Sequence, residues 1–151
     1  MLTYLIDGNN LIGKIPSLMS LQKKDKQASR ERILHLLDRY FHSKKTKVIL
    51  FFDGFENGKL NAFHLKINYS DRITADEKIK SFITDAKSTK NIIVITSDSN
   101  LSQFAKKCSC KVISSDNFAA EIAANKQKSE FNKPDATAGL EEFKKLFGVD
   151  E

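Results

Sequence analysis

The sequence has little of several features that mark other classes of protein. It contains two cysteines, Cys108 and Cys110, in a C-x-C spacing without a second pair. A zinc site needs four ligands, so we predict two reduced thiols at a junction between a helix and a strand. The sequence also lacks the glycine-rich nucleotide-binding motifs, the G-x-S-x-G motif of hydrolases and any internal repeat. The common nucleotide-binding loops and the serine-hydrolase elbow are therefore excluded.

A long apolar run is also missing, because Asp7 interrupts the first one. We therefore expect neither a signal peptide nor a membrane span, no membrane partner, and a cytoplasmic location. With 151 residues, the chain is long enough to bury a core in one domain. We predict this domain over residues 1–126. The remaining residues, 127–151, are predicted to be a linker and a final helix. The linker composition extends over residues 126–136. The helix should begin near Thr137 and dock on the same domain through Leu140, Phe143, Leu146 and Phe147.

Four short apolar runs each end at an aspartate. They are Tyr4–Ile6 before Asp7, Val48–Phe52 before Asp53, Ile92–Ser97 before Asp98, and Val112–Ser115 before Asp116. The runs show little alternation and are rich in Val and Ile, which is typical of parallel strands buried on both faces. Helix-like segments separate them, so we predict an α/β fold. The carboxyl ends of parallel strands share one edge of the sheet, and that edge should gather the four carboxylates.

The intervening segments complete the predicted fold. Residues 11–26 are predicted as a loop and a polar region, and residues 27–42 as a helix that faces the sheet with Ile33, Leu37, Tyr40 and Phe41. Residues 63–69 alternate and predict a strand nearer the sheet edge. Thr74 and Glu77 form a capping box that opens a further helix, and Asp76 lies in its first turn, where it can point toward the crevice.

Each acid also has an ordinary structural interpretation. Asp98 and Asp116 can cap the helices that follow them, and Asp53 can form a turn with Gly54. Taken together, their convergence favours a site for Mg²⁺ or Mn²⁺, which prefer oxygen ligands. Asp7, Asp76 and Asp98 would then be the metal ligands, and the neutral Asn10 could orient a carboxylate or a water. Two such ions can support in-line attack of water on a phosphodiester.

The positive charge is concentrated just after the first aspartate. The net charge is +6, and residues 14–47 alone hold ten basic residues against three acidic ones. A basic segment beside an acidic crevice suggests a polyanionic substrate such as RNA. Lys14 and a helical stripe of Arg32, His35 and Arg39 are the candidate RNA contacts. A solvated lysine-rich surface is the alternative interpretation of the same pattern.

Several of these segments resemble one known family. They are Asp7–Gly13, Phe52–Gly54, Tyr69-Ser70 with Thr74–Ile79, Thr96–Asp98, and Ile113–Ser115 with Phe118. In this order, over residues 1 to about 125, they resemble the NYN-domain proteins of the YacP-like group, which belong to the PIN-like nucleases. Three departures are visible. Asn9 stands where the group often has Tyr, Ser109-Cys110 stand where a Gly is usual, and the connection between the second and third strands is short.

The resemblance implies a Rossmann-like PIN fold with a parallel five-stranded sheet in the order 3-2-1-4-5 and helices on both faces. It also implies a metal-dependent endoribonuclease activity. By position, Asp7, Asp76 and Asp98 match the acidic metal-binding residues of the group, and Asn10 matches its opening motif. Asp53, Glu77, Ser97 and Asp116 are expected to surround these residues and to support them rather than to bind metal.

We therefore expect a Mg²⁺- or Mn²⁺-dependent endoribonuclease that acts on mRNA, rRNA or tRNA, with the ribosome as a further candidate partner. An RNA-binding or ribosome-associated module with little cleavage would keep the same charge pattern. A receiver-like signalling domain also gathers aspartates at strand ends, but it needs an acid pair after the first strand. Here one Asp is followed by Gly-Asn-Asn, and Asp71 lies in a loop.

Overall fold

The computed structural model describes residues 1–131, with side chains described as far as residue 125. Its strands are β1 (Leu2–Asp7), β2 (Thr46–Phe52), β3 (Lys66–Tyr69), β4 (Ile92–Ile95) and β5 (Lys111–Ile113). They form one parallel sheet in the order β3-β2-β1-β4-β5. The predicted strand order is confirmed, and β3 lies at the edge of the sheet.

The helices in the described part of the chain connect these strands and cover the sheet. They are α1 (Gly8–Ile12), α2 (Pro16–Lys24), α3 (Lys26–Phe41), α4 (Ala75–Asp85), α5 (Ser99–Lys107) and α6 (Ser115–Phe131). Alternate strand residues pack on opposite faces. Ile6 and Leu50 join one core with residues of α1, α2, α3 and α6, whereas Leu5 and Ile49 join a second core with residues of α4 and α5. Burial on both faces explains why the strands read as continuous apolar runs.

Helix α3 packs as its periodicity predicts. Ile33, Leu37, Tyr40 and Phe41 are all buried in the core. Tyr40 and Phe41 also contact the ring of Phe118 from α6, with centroids 5.3 and 6.2 Å apart. These contacts fix α3 and α6 on the same face of the sheet.

The prediction of a loop and a polar region over residues 11–26 is wrong, because most of this segment is helical. Helix α1 begins directly after Asp7, and α2 begins at Pro16. Proline suits the first turn of a helix because its fixed φ is already helical. It also loses no hydrogen bond there, since a backbone N–H at this position has no acceptor within the helix. Leu18 then anchors α2 in the core, and Asp25 caps α3 by accepting a hydrogen bond from the Ala28 amide at 3.1 Å.

Gly8, at the start of α1, has no room for a side chain. A Cβ atom there would lie 2.6 Å from the carbonyl oxygen of Phe51 and 2.9 Å from the ring of Phe52. Only glycine allows α1 to leave the sheet so close to β2. This close approach keeps the residues after Asp7 beside the end of β2.

Helix α6 continues through residue 131, so residues 126–131 are helical where the sequence predicts the start of a linker. The rest of that linker and the predicted helix from Thr137 lie outside the described residues, and the division into domains stays a prediction. Cys108 ends α5 and Cys110 directly precedes β5, as expected, and both thiols are free. Within the described part of the chain, no helix is long and apolar enough to cross a membrane.

Candidate active site

Asp7 is the buried centre of the carboxylate cluster. It ends β1, pairs in register with Phe51 of β2, and is only 8% exposed. The Thr96 hydroxyl donates to its Oδ2 at 3.2 Å. The pKa of Asp7 is raised to about 6, chiefly by burial and to a smaller extent by the nearby charges of Asp53 and Asp76. Hydrogen bonds from the Thr96 hydroxyl and the Asn10 amide oppose this rise. The cluster therefore holds more negative charge than its surroundings stabilise.

Asp53 connects three elements at the end of β2. Its Oδ1 accepts a hydrogen bond from the Ala75 amide at the start of α4 at 2.7 Å. Its own amide donates to Oδ1 of Asn9 in α1 at 2.9 Å, and its carbonyl oxygen accepts from Nη2 of Arg30 in α3 at 2.6 Å. The following Gly54 has a φ of +86°, as a turn at this position requires. Asp53 thus fixes the position of α4 relative to Asp7.

Asp76 lies in the first turn of α4, next to Ala75. Thr74 caps this helix as predicted, because its hydroxyl accepts from the amide of Glu77 at 3.1 Å. Oδ2 of Asp76 lies 3.1 Å from the ammonium of Lys80. Its Oδ1 is buried and, within the described part of the chain, has no hydrogen-bond partner. A buried carboxylate oxygen without a donor is a position that a cation would stabilise.

Glu77 itself is exposed. Its position in the capping box explains its backbone contact with Thr74, and the structure gives it no contact with the other acids of the cluster among the described hydrogen bonds and ion pairs.

Asp98 lies farther out, beyond Thr96. It is exposed, and its Oδ1 caps α5 by accepting from the Leu101 amide at 3.0 Å. Its own amide donates to the Thr96 hydroxyl at 3.1 Å. The carboxylates that raise the pKa of Asp7 are those of Asp53 and Asp76. The capping interpretation of Asp98 is confirmed, and its link to Asp7 runs through Thr96.

Asn10 holds two loops together beside the cluster. Its side-chain oxygen accepts from the Ser97 amide at 2.8 Å and from the Ser115 hydroxyl at 2.7 Å. The Ser115 amide in turn donates to the Ser97 hydroxyl at 2.9 Å. This oxygen therefore orients the loops after β4 and β5, and Asn10 influences Asp7 through its backbone amide.

Asp116 occupies the outer end of this network. Its Oδ2 accepts from the Ser97 hydroxyl at 3.1 Å, and its Oδ1 lies 3.9 Å from the Lys14 ammonium. The alternative interpretation of Asp116, as the cap of α6, is wrong. Ser114 does so, since its hydroxyl accepts from the Asn117 amide at 3.1 Å, and Asp116 lies in the first turn.

The predicted basic stripe is on the surface of α3. Arg32, His35 and Arg39 are exposed and line a groove of about 500 Å³ between α2 and α3, together with Leu21, Ala28, Glu31 and Leu36. The groove follows the length of α3, whereas the carboxylates lie at the strand ends. The structure thus brings these three residues together with one another, and Lys14 together with Asp116.

Arg30 departs from the picture of an exposed basic segment. It is 2% exposed, and its guanidinium lies 5.1 and 5.4 Å from the ring centroids of Phe52 and Tyr69. Its guanidinium also donates to the Asp53 carbonyl oxygen, so Arg30 stabilises the backbone at the end of β2. One of the ten basic residues in 14–47 is therefore structural.

The fit of a metal ion depends on two aspartates. Within the described part of the chain, no three His, Cys, Asp or Glu side chains form a group that could hold a metal, so Asp7, Asp76 and Asp98 are not assembled into one ligand set. Mg²⁺ needs only one or two carboxylates when water and substrate phosphate complete its coordination. Oδ1 of Asp76, which has no partner among the described residues, and the buried carboxylate of Asp7 match that requirement.

The sequence profile of one family, described as YacP-like NYN domain, matches residues 4–145. The chain belongs to this family. The match extends past residue 125, where the motifs noted above end. Among curated proteins, none matches the chain.

Two solved structures share the fold of this YacP-like NYN chain. One is Rae1 (YacP) from Bacillus subtilis, with 22% identity, a TM-score of 0.73, and coverage of 99% of this chain and 90% of that one. The other is the W164L mutant of the same protein, with 22% identity, a TM-score of 0.68, and coverage of 93% and 89%. Family membership supports a ribonuclease-type function, and the two structures confirm the fold.

Four further residues of this YacP-like NYN chain contribute to the site without having been predicted. They are Asn9, Arg30, Lys80 and Thr96. A spacing of four residues on one helix could have indicated the pairing of Lys80 with Asp76. Oδ1 of Asn9 accepts a hydrogen bond from the Asp53 amide, so this side chain holds the end of β2. The contacts of Arg30 and Thr96 have no local sequence signal.

Proposed function

We propose that this protein is a Mg²⁺- or Mn²⁺-dependent endoribonuclease whose cation is held by Asp7 and Asp76. The observation that carries the proposal is the buried Oδ1 of Asp76, which has no hydrogen-bond partner among the described residues and belongs to a carboxylate close enough to raise the pKa of the buried Asp7. Membership of the YacP-like NYN family supports ribonuclease-type chemistry. Together they favour hydrolysis of RNA at this edge of the sheet.

A bound divalent cation would activate water and stabilise the charge that develops on a phosphodiester. The residues of the chain supply the rest of the site. Asp7 and Asp76 provide oxygen ligands, and Asp53 holds α4 so that Asp76 keeps its position. Asp98 is the candidate third acid, acting from the outer side of Thr96. Asn10 is a positioning residue that orders the loops carrying Ser97 and Ser115.

The basic surface would bring RNA to this edge. The charge excess of residues 14–47 and the groove lined by Arg32, His35 and Arg39 give a positive surface along α3. Contacts with phosphates are insensitive to sequence, and they weaken as salt rises. Lys14 lies beside Asp116, with its ammonium 3.9 Å from that carboxylate, and is a further candidate phosphate contact.

The test is to incubate the protein with labelled RNAs in Mg²⁺, in Mn²⁺ and in chelator. Internal cleavage that requires the metal is expected, and Asp7→Asn and Asp76→Asn should each abolish it while the folded protein still binds RNA. Asp85→Asn is the matched control, because it makes the same change at an exposed position at the far end of α4. Equal cleavage by Asp76→Asn and Asp85→Asn would contradict the proposal.

One observation favours a second function. Asp98 uses its Oδ1 to cap α5, and no three-residue metal group is formed among the described residues. A module that binds RNA or the ribosome without cleaving would need no such group. RNA binding by the wild type without cleavage in any metal would favour this alternative.

A further inference from the structure

A second surface feature is formed by the turns that follow β2 and β3 and by α4. It is a groove of about 550 Å³ lined by Phe55, Ser70, Asp71, Arg72, Ile73 and Lys78. Phe55 is 61% exposed and Ile73 is 43% exposed. Large apolar side chains are costly to leave in water, and here they lie beside two cationic side chains. The combination of an open aromatic ring with Arg and Lys is typical of surfaces that bind single-stranded nucleic acid.

The backbone that carries Phe55 is held in place. Nη1 of the buried Arg30 donates to the Phe55 carbonyl oxygen at 3.1 Å. The Gly54 amide donates to the Ser70 hydroxyl at 2.8 Å, and the Asp71 amide donates to the Gly54 carbonyl oxygen at 2.8 Å. The exposed ring therefore projects from a turn that is tied to α3 and to the end of β3. A ligand that stacks on it loses less free energy in ordering the loop.

The groove adjoins the proposed site through two elements. Phe55 follows Asp53 by two residues in the turn after β2, and Lys78 lies in α4, the helix whose first turn carries Asp76, on a different face of that helix. Arg30 binds the carbonyl oxygens of both Asp53 and Phe55 through one guanidinium. An RNA strand with a phosphate at Asp7 and Asp76 would thus have a neighbouring nucleotide within reach of this groove.

We propose that the groove binds one unpaired nucleobase next to the phosphate that is cleaved, an inference that rests on the proposed function. The base stacks on Phe55, and Arg72 and Lys78 contact the phosphate of the same nucleotide. Asp71 also lines the groove, and its carboxylate is the candidate acceptor for an exocyclic amino group of the base. A paired base cannot stack on a protein ring without leaving its helix, so the groove selects single-stranded RNA.

Phe63 provides a matched control. It is even more exposed than Phe55, at 83%, and it also lies beside cationic side chains, but it lines a different groove, with Asp38, Arg39 and Lys44. The Asp38 carboxylate accepts from its backbone amide at 3.1 Å. Phe63→Ala therefore removes an exposed phenyl ring from the same connection between β2 and β3, but outside the proposed nucleobase groove.

The experiment measures binding of a short labelled single-stranded RNA in chelator, together with the same oligonucleotide in which every base is missing. Phe55→Ala should weaken binding of the base-bearing RNA by about tenfold. Binding of the abasic RNA should stay the same, because it depends on phosphate contacts. Phe55→Trp should retain the affinity of the wild type for the base-bearing RNA, and Phe63→Ala should weaken that binding clearly less than Phe55→Ala does.

Three results would overturn the proposal: unchanged binding of base-bearing RNA by Phe55→Ala, an equal loss for both oligonucleotides, or no binding of either one by the wild type. The test does not depend on cleavage, since it is done without metal. Asp76→Asn should bind both oligonucleotides at least as well as the wild type does. Failure of the nucleobase-groove proposal and failure of the proposed nuclease activity can therefore be distinguished.

Discussion

The backbone amide of Ala75 donates to Oδ1 of Asp53 across 2.7 Å, and this bond joins the end of β2 to the first turn of α4. The next residue after Ala75 is Asp76, so the geometry of one acid depends on the other. Asp53 also raises the pKa of Asp7. It therefore acts on both proposed metal ligands, on one through a hydrogen bond and on the other through its charge.

This role of Asp53 predicts that alanine and asparagine have different effects. Asp53→Ala leaves the Ala75 amide without its acceptor and should lower the free energy of unfolding by about 1–2 kcal/mol. Asp53→Asn keeps an acceptor oxygen and should cost less. Urea unfolding of both variants measures the difference. Equal destabilisation by the two substitutions would mean that the bond to Ala75 is not what Asp53 contributes.

The raised pKa of Asp7 predicts an unusual dependence of stability on pH. Asp7 titrates near 6 in the folded protein and near its ordinary value of 3.8 in the unfolded chain. Between these values the folded state binds more protons, so the contribution of Asp7 to stability falls as pH rises, by roughly 3 kcal/mol in total. Without divalent cations, Asp7→Asn should therefore be more stable than the wild type at neutral pH.

The difference between the two proteins should shrink as pH falls through 6 toward 3.8, the folded and ordinary values of the Asp7 pKa. Comparing urea unfolding of both proteins at each pH cancels the titration of the other acids. If the difference in the free energy of unfolding stays constant across this pH range, the raised pKa of Asp7 in the folded protein is contradicted.

Lys80 predicts a competition between an internal cation and a bound metal. Its ammonium lies 3.1 Å from Oδ2 of Asp76 and also donates to Asn100 at 2.6 Å. Removing the positive charge beside Asp76 should strengthen the binding of Mn²⁺ to that carboxylate. We expect Lys80→Met to lower the dissociation constant for Mn²⁺ by roughly tenfold or less. Calorimetric titration measures this change.

Lys106→Met is the control for Lys80→Met, because Lys106 is an exposed lysine in the last turn of α5. It should leave the affinity for Mn²⁺ as it is in the wild type. Weaker binding of Mn²⁺ by Lys80→Met would show that the lysine organises Asp76 more than it competes with the metal.

Ser109 predicts a stabilising substitution. Its φ is +68°, a left-handed conformation that glycine adopts without strain and serine does not. Ser109→Gly should raise the free energy of unfolding by about 0.5–1 kcal/mol without a change in RNA cleavage. Thermal or urea unfolding gives the answer.

Gly54 offers the opposite test of the same principle. Its φ is +86°, and a Cβ atom there would meet nothing within 4 Å. Gly54→Ala should therefore destabilise the protein by about 1 kcal/mol through backbone strain alone. A stabilising Gly54→Ala, or a destabilising Ser109→Gly, would contradict the backbone conformations described for these turns.

Much of the fold is predictable because its signals are local. The apolar runs before Asp7, Asp53 and Asp98 follow from burial on both faces of a parallel sheet, and the capping role of Thr74 follows from its spacing to Glu77. The sequence pattern does not reveal helix α2, because Pro16 is as typical of a loop as of a helix start. Only the packing of Leu18 in the core decides between them.

The site is less predictable because its contacts join distant parts of the chain. Asn10 and Ser115 are 105 positions apart, and Thr96 and Asp7 are 89 apart. No local pattern contains such pairs. The structure also separates acids that the sequence presents alike. Asp7 is buried, Asp53 holds α4, and Asp98 is an exposed cap.

The central claim is that Asp7 and Asp76 together hold a divalent cation, and direct binding of Mn²⁺ in the absence of RNA tests it. Calorimetric titration should show binding by the wild type and by Asp85→Asn, and a loss of at least about tenfold in affinity for Asp7→Asn and for Asp76→Asn. Binding of Mn²⁺ with wild-type affinity by both Asp7→Asn and Asp76→Asn would contradict the account.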